Sequence, residues 1–337
     1  MMEKYRYLEE LKKELDKLKK EEQADIISDF EEYFPNGKKD GKTEEEISES
    51  LGTPRYIALE LLKAYTEEDM ISEEFSGESD YSKVDIQVEN GKLTIEPSND
   101  GKEHVAISEH SSQTSLSMDV VGDTLLIKVK ETRRFLPFGF GLKVPVVSVK
   151  LPVRKYETIQ VNNANGSMTG SSLHAELVGV ESDNGRIELS QVVASKLRTV
   201  SDNGRITLKN VQVTELDAES DNGRIEIHNV QSEILRAKSD NGRIELHDVH
   251  GVIEAETDNG RINCYVPIVT KPINLKTDNG SIELMMTQKP EHATIRVTRD
   301  RGKVSMFGED SKKAVFGDGS LLIQLSTDNG KVTVKEA

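Results

Sequence analysis

Three kinds of chemistry-bearing residue recur along this chain at a nearly fixed interval. Asp183, Asp202, Asp221, Asp240, Asp258 and Asp278 form one series, Arg186, Arg205, Arg224, Arg243 and Arg261 a second, and Glu188, Glu226, Glu245 and Glu283 a third. A row of carboxylates at constant spacing has the chemistry to bind a line of cations such as calcium. Asp also favours a turn by bonding its own backbone, a reading that needs no ligand. His228 and His247 hold equivalent places in successive units, with Asp248 and His250 beside them, and these are the residue types of a metal site. Ser190, Lys209 and Tyr265 fill the same place elsewhere, which marks a tolerant surface position. No metal and no other cofactor is expected.

Hydrolase or lyase chemistry needs a few carboxylates or a base singled out in one place with tuned pKa values. Every unit here offers much the same Asp, Arg and Glu, so no unit is distinguished. The chain has no Trp and only 5% aromatic residues, which leaves stacking platforms for a sugar cleft scarce. The expectation is a protein that is not an enzyme, with a β-helix carbohydrate-active enzyme as a remote alternative.

The elements that carry these residues are repeats. Six units read SDNGRIEL, SDNGRITL, SDNGRIEI, SDNGRIEL, TDNGRINC and TDNGSIEL, preceded by NANGSM, with glycines at 166, 185, 204, 223, 242, 260 and 280. Two looser copies follow around Gly302 and Gly330, at intervals that would be insertions or a capping structure. Within a unit Ile187 and Leu189 alternate with Arg186 and Glu188, a period of two that sends one pair inward and the other to solvent. Val192 and Leu197 recur as Val211 and Leu216, Val230 and Leu235, and Val249 and Ile253. Like residues therefore stack on like, about 4.8 Å apart if neighbouring coils pair as strands.

This predicts a mainly β fold: a β-solenoid (β-helix) of about 19-residue coils. Its corners fall at Asn184-Gly185, Asn203-Gly204, Asn222-Gly223, Asn241-Gly242, Asn259-Gly260 and Asn279-Gly280, where Asn followed by Gly is expected to adopt positive φ without strain. The competing fold uses each Asn-Gly as a type I′ hairpin in an antiparallel meander. Along the solenoid Asp183, Arg186, Asp202, Arg205, Asp221, Arg224, Asp240 and Arg243 make a candidate charged surface ladder. Like charges at coil spacing repel by roughly 0.9 kcal/mol even in water, and arginine between two acidic stripes is expected to compensate.

Ahead of the repeats, Tyr7, Leu8, Leu11, Leu15, Leu18, Ile26, Ile27, Phe30, Tyr33 and Phe34 keep three- and four-residue spacing, which is helical. A turn is expected at Asn36-Gly37 and Asp40-Gly41. Thr43 with Glu46 forms a capping box that opens a short helix closed by Gly52, and Thr53-Pro54 opens another. From Tyr81 the period becomes two, with a β-hairpin expected at Asn90-Gly91 and further strands over 105–108, 116–120, 125–129 and 144–151. Phe135, Phe138 and Phe140 lie within six residues, flanked by Arg133, Arg134 and Lys143. That loop is a candidate plug for an open end of the solenoid, or a contact with a partner or membrane surface. The division is thus 1–66 helical domain, 67–79 acidic linker, 80–160 β-rich lead-in or cap, and 161–337 solenoid repeats.

Bulk properties narrow the partners. The chain of 337 residues is 35% hydrophobic, with a formal net charge of −16, and residues 1–75 alone hold 12 Lys and Arg against 22 Asp and Glu. Low hydrophobicity suits a thin apolar seam better than a large core. Nucleic acid is a poor partner for so acidic a surface. No apolar run approaches the roughly 18 residues of a membrane span, the start lacks an apolar leader, and Cys264 is the single cysteine, so the expected location is cytoplasmic.

Two resemblances follow from these motifs. Ser28-Asp29-Phe30-Glu31-Glu32-Tyr33-Phe34, Gly41-Lys42-Thr43-Glu44-Glu45-Glu46-Ile47 and Leu51-Gly52-Thr53-Pro54 make residues 3 to about 65 similar to the small helical HAAS signalling domain. The Ser/Thr-Asp-Asn-Gly-Arg-Ile-Glu-Leu units make residues from about 80 onward resemble the adhesin-like β-strand-repeat family that includes LiaG-type proteins of low-GC Gram-positive bacteria. The resemblance implies a regulatory or envelope-stress-associated protein without catalytic residues. A protein partner, either a regulator or a membrane module, is expected through the helical domain, and a membrane surface or glycan only weakly. The alternative is an adhesin-like binding module for a repetitive cell-wall ligand.

Overall fold

The computed structural model describes residues 3–18, 20–39, 41–66, 71–74, 81–108, 114–131 and 144–337. Phe135, Phe138 and Phe140, with Arg133, Arg134 and Lys143, lie outside them. The described residues of 3–71, 107–115 and 130–146 form one compact unit, and those of 72–106, 116–129 and 147–337 form a second.

The first unit is built on helices α1 (Lys4–Glu14), α2 (Lys20–Lys39), α3 (Glu44–Leu51) and α4 (Pro54–Thr66). Its core joins Tyr7, Leu8 and Leu11 to Phe30, Phe34, Ile47, Leu51, Ile57 and Leu61, the stripe that the spacing predicts. Tyr7 stacks on Phe30 and meets Phe34 edge-on. The Thr43–Glu46 capping box is present in both directions, and Gly52 ends α3 at φ 85°. Asn36-Gly37 makes no turn, since α2 runs on through Pro35 to Lys39; the expected turn at Gly41 is present, with φ 79°. Within the expected acidic linker, Ile71–Glu74 forms a short strand.

The second unit is the solenoid, and its pairing is parallel and in register. Ile187 pairs with Ile206, Ile206 with Ile225, Ile225 with Ile244, Ile244 with Ile262 and Ile262 with Ile282. All six are essentially inaccessible to solvent. A second column runs Val178, Leu197, Leu216, Leu235, Ile253, Ile273 and Ile323. The meander is excluded, since corner glycines lie one above another instead of joining antiparallel neighbours. The coil one residue short, between Gly242 and Gly260, takes its register shift opposite Gln231 and Ile234, with Gly251 at φ 126°. The coil one residue long takes the extra residue between Tyr265 and Ile273.

Two expectations fail here, each for a physical reason. Asn90-Gly91 is no hairpin: the strand before it pairs in parallel with Tyr156–Asn165, and the strand after it with Met168–Ser171. The repeat glycines from Gly185 to Gly280 do not have positive φ. They are needed because a Cβ on Gly204 would lie 1.7 Å from the carbonyl oxygen of Gly185, and the other rungs are equally close. Left-handed backbone sits instead at a second corner, at Ser172, Gln191, Asn210, Asn229 and Asp248, all with φ between 52° and 56°.

The late copies are rungs of the stack, out of sequence order. A Cβ on Gly330 would meet Gly280, and one on Gly302 would meet Gly330, so the rung of residues 321–336 lies between those of 273–286 and 293–306. The other end repeats the device. Lys83–Val88 lies between Thr124–Val129 and Thr158–Asn163. Outside the last coil, Lys313–Phe316 adds an antiparallel strand to Ala293–Arg296.

Candidate functional surface

The Ser/Thr-Asp-Asn-Gly corner explains itself atom by atom. Ser220 Oγ is buried, accepts from Gly223 N at 2.9 Å and donates to Gly204 O, one coil below, at 3.1 Å. Ser201 and Ser239 repeat both bonds, and Thr257, Thr277 and Thr327 repeat the one to the coil below. Asn supplies a column: Asn165 donates to Asn90, Asn184 to Asn165, and so on through Asn203, Asn222, Asn241, Asn259, Asn279 and Asn329, at 2.9–3.2 Å. Polar satisfaction therefore passes from coil to coil at this corner, as buried backbone requires.

Outside the column the charged ladder is only partly compensated. Arg224 and Arg243 pair with Glu226 and Glu245 two residues on, at 2.9 and 3.1 Å. The Asp183, Asp202, Asp221 and Asp240 carboxylates take no ion pair among the described residues, nor do Arg186 and Arg205. The expected bracing of arginine between two acidic rows is thus half correct: it acts on the Glu side alone, because the turn carries Asp away on the far side of Gly. No group of His, Cys, Asp and Glu able to hold a metal occurs among the described residues. Burial works against the Glu226 carboxylate, but its bond from Arg224 and the nearby Arg205 outweigh that and hold its pKa below the ordinary value.

The second arm of each coil, which sequence reading passed over, carries the denser network. Arg236 Nη1 reaches Asp217 Oδ1 at 3.2 Å and also Glu215, while its Nε reaches Glu254 at 3.2 Å. Lys196 pairs with Glu215 and Asp217, Arg198 with Glu181 and Glu219, and Lys276 with Glu256. Arg236, then Lys196, lowers the Glu215 carboxyl by hydrogen bonding. Between these rows lies a trough of about 310 Å³, walled by Asp217, Glu219, Arg236, Lys238, Glu254 and Lys276. The signal was in the sequence, as charges that alternate in sign from unit to unit, and it was masked by the more uniform Asp and Arg rows.

Two further clusters were only partly foreseen. His228, His247 and Tyr265 form a tilted row, with centroids 6.0 and 4.7 Å apart, and His247 bonds Asp248 at 2.9 Å. Near the start of the solenoid Arg154 lies over Tyr81 at 4.3 Å and Tyr156 at 5.0 Å, while the Tyr81 hydroxyl donates to Glu103. Burial, then the Glu103 bond, pushes the Tyr81 hydroxyl well above its ordinary range. Residues so far apart in sequence left no local sign of meeting.

Two family models match the chain. Residues 6–60 match the HAAS family model. Among solved structures, a candidate adhesin from Bacteroides fragilis is 14% identical, with 80% of this chain and 98% of that one covered and a TM-score of 0.45. A candidate lipid-binding protein from Parabacteroides distasonis is 16% identical, covering 79% and 97%, with a TM-score of 0.46. No curated protein matches the chain. Residues 81–335, three quarters of the chain and nearly all of the solenoid, match the family model described as Toastrack DUF4097, and the chain belongs to that family.

Proposed function

We propose that this chain is a non-enzymatic scaffold or signalling protein of the bacterial cytoplasm, linked to cell-envelope stress regulation, whose HAAS-like helices dock a protein partner. The observation that carries the reading is the sameness of the solenoid exterior. Rung after rung offers nearly the same Asp, Arg and Glu, and Lys196, Arg198, Arg236 and Lys276 of the second arm are paired with neighbouring carboxylates. Tyr5 at 74%, Tyr56 at 55% and Leu59 at 50% exposure give the helical unit apolar side chains free for a partner. A regulator or a membrane module is the partner that the HAAS match favours.

The test is to recover the full chain from its source with partners attached, beside a variant with Tyr5, Tyr56 and Leu59 changed to Ser. The reading expects a regulator or membrane module at constant stoichiometry with the wild type and its loss from the folded variant. A chain that comes alone and turns over glycans would overturn it. A second reading, an adhesin-like module for a repetitive cell-wall ligand, is supported by the 310 Å³ trough along the coil axis. Binding of cell-wall polymer by the wild type, lost on Lys238→Glu, would favour that reading instead.

A further inference from the structure

The last coil, 293–306, breaks the pattern of the Ser/Thr-Asp-Asn-Gly corner. Arg299 is the register partner of Thr327, and Arg301 that of Asn329. Both residues that pass hydrogen bonds between coils have thus become arginine, while Asp300 and Gly302 keep their types. In the coils before it, from Ser201 to Thr327, the hydroxyl donates to the glycine carbonyl one coil below. Arg299 turns instead onto its own corner, and its Nη1 donates to Gly302 O at 2.6 Å. That carbonyl is the one that the hydroxyl of a further coil would take. Arg301 makes no ion pair among the described residues.

Elsewhere the outer edge of this coil is covered by the chain's own backbone. Lys313–Phe316 pairs with Ala293–Arg296, Lys312 O accepts from Val297 N at 2.8 Å, and Glu309 O accepts from Met306 N at 2.8 Å. The corner between them, 298–303, has no backbone partner on its outer side among the described residues. It is the stretch at which a second chain could continue the stack, as unpaired strand edges invite. A coil seated there would cover two guanidinium groups where interior corners carry a neutral hydroxyl and a neutral amide, and burying unpaired charge is costly. Arginine is also kept at this place against local stability. Nε of Arg299 is buried without a hydrogen-bond partner among the described residues, an exception among buried polar groups.

We propose that Arg299 and Arg301 close the terminal corner to a second copy of this chain, so that the stack ends within one molecule instead of continuing end to end.

The test rebuilds the interior corner in the full chain with Arg299→Ser and Arg301→Asn together. Sedimentation velocity follows mass against concentration, and circular dichroism checks folding. The wild type is expected to stay a single chain, and the double variant to self-associate at least about tenfold more tightly. Arg186→Ser with Arg205→Asn removes the same two charges from within the stack and should leave the chain single. Arg299→Lys with Arg301→Lys keeps the charges and should do the same. If the double variant does not fold, Arg301→Asn alone leaves the Arg299 bond in place and should still associate, though less tightly. A folded corner variant that stays single would overturn the proposal, as would equal association by the wild type, by the lysine pair or by the Arg186 and Arg205 control.

Discussion

The side-chain amide of Asn222 donates to Oδ1 of Asn203 at 2.9 Å, 19 residues earlier in the chain and one coil below. That bond requires coil backbones to approach too closely for any side chain at the next position. A Cβ on Gly223 would lie 1.8 Å from Gly204 O. The column and the glycine stack are two consequences of one spacing.

Gly223→Ala is therefore expected to destabilise the solenoid by about 2–4 kcal/mol, as overpacking against fixed backbone does. Gly122→Ala is the control, since Gly122 has φ 66° with nothing within 4 Å; only its backbone strain, about 1 kcal/mol, should be felt. Urea midpoints measure both. Similar losses would mean that conformation, and not close stacking, selects the repeat glycines.

Ser220→Ala strands a buried N–H and a buried carbonyl, Gly223 N and Gly204 O, and should lose about 2 kcal/mol. Ser220→Thr should be nearly neutral, because Thr257, Thr277 and Thr327 hold the equivalent place with the same bond to the coil below. Equal damage by Ala and Thr in thermal melts would contradict the bridging role.

Cys264 is wholly buried, and burial raises its thiol from the ordinary 9.0 to about 12. Below pH 9 the thiol is protonated whether the chain is folded or not. Between about 9 and 12 only the unfolded thiol ionises, so folding stability falls with rising pH across that window. Cys264→Ala should flatten this part of the pH profile in denaturant titrations. A thiol reagent at pH 8 should label the wild type only after unfolding.

Arg236 joins Glu215, Asp217 and Glu254, yet its side chain remains 43% exposed. Arg236→Ala should lower stability by only about 0.5–1 kcal/mol in low salt, with most of the difference gone in molar salt. A loss several times larger and insensitive to salt would show that the network is a buried structural element.

What the sequence made legible was whatever repeats. The pairing of Ile187 with Ile206 and of Val192 with Val211 follows from the 19-residue interval, and the capping box at Thr43 from a local motif. The role of Ser220 needs a neighbour in another coil, and no reading of one unit supplies it. The second corner escaped because Ser172, Gln191, Asn210, Asn229 and Asp248 share a backbone conformation without sharing a residue type. The Asn90-Gly91 corner looked like a hairpin because the same dipeptide serves both geometries, and only the distant strand Tyr156–Asn165 decides between them. The candidate ladder of Asp and Arg was visible, but its partial compensation depended on which way each side chain leaves its coil.

The exchange of rung order at both ends bears on how the molecule is made. A chain emerging from the ribosome cannot simply wind one turn onto the last, because the place between residues 273–286 and 293–306 stays vacant until residues 321–336 have been synthesised. The nascent protein must wait with its final turns unseated, and closure comes as one late step. A chain cut short before residues 321–336 would then be one that proteases can recognise by its open seam.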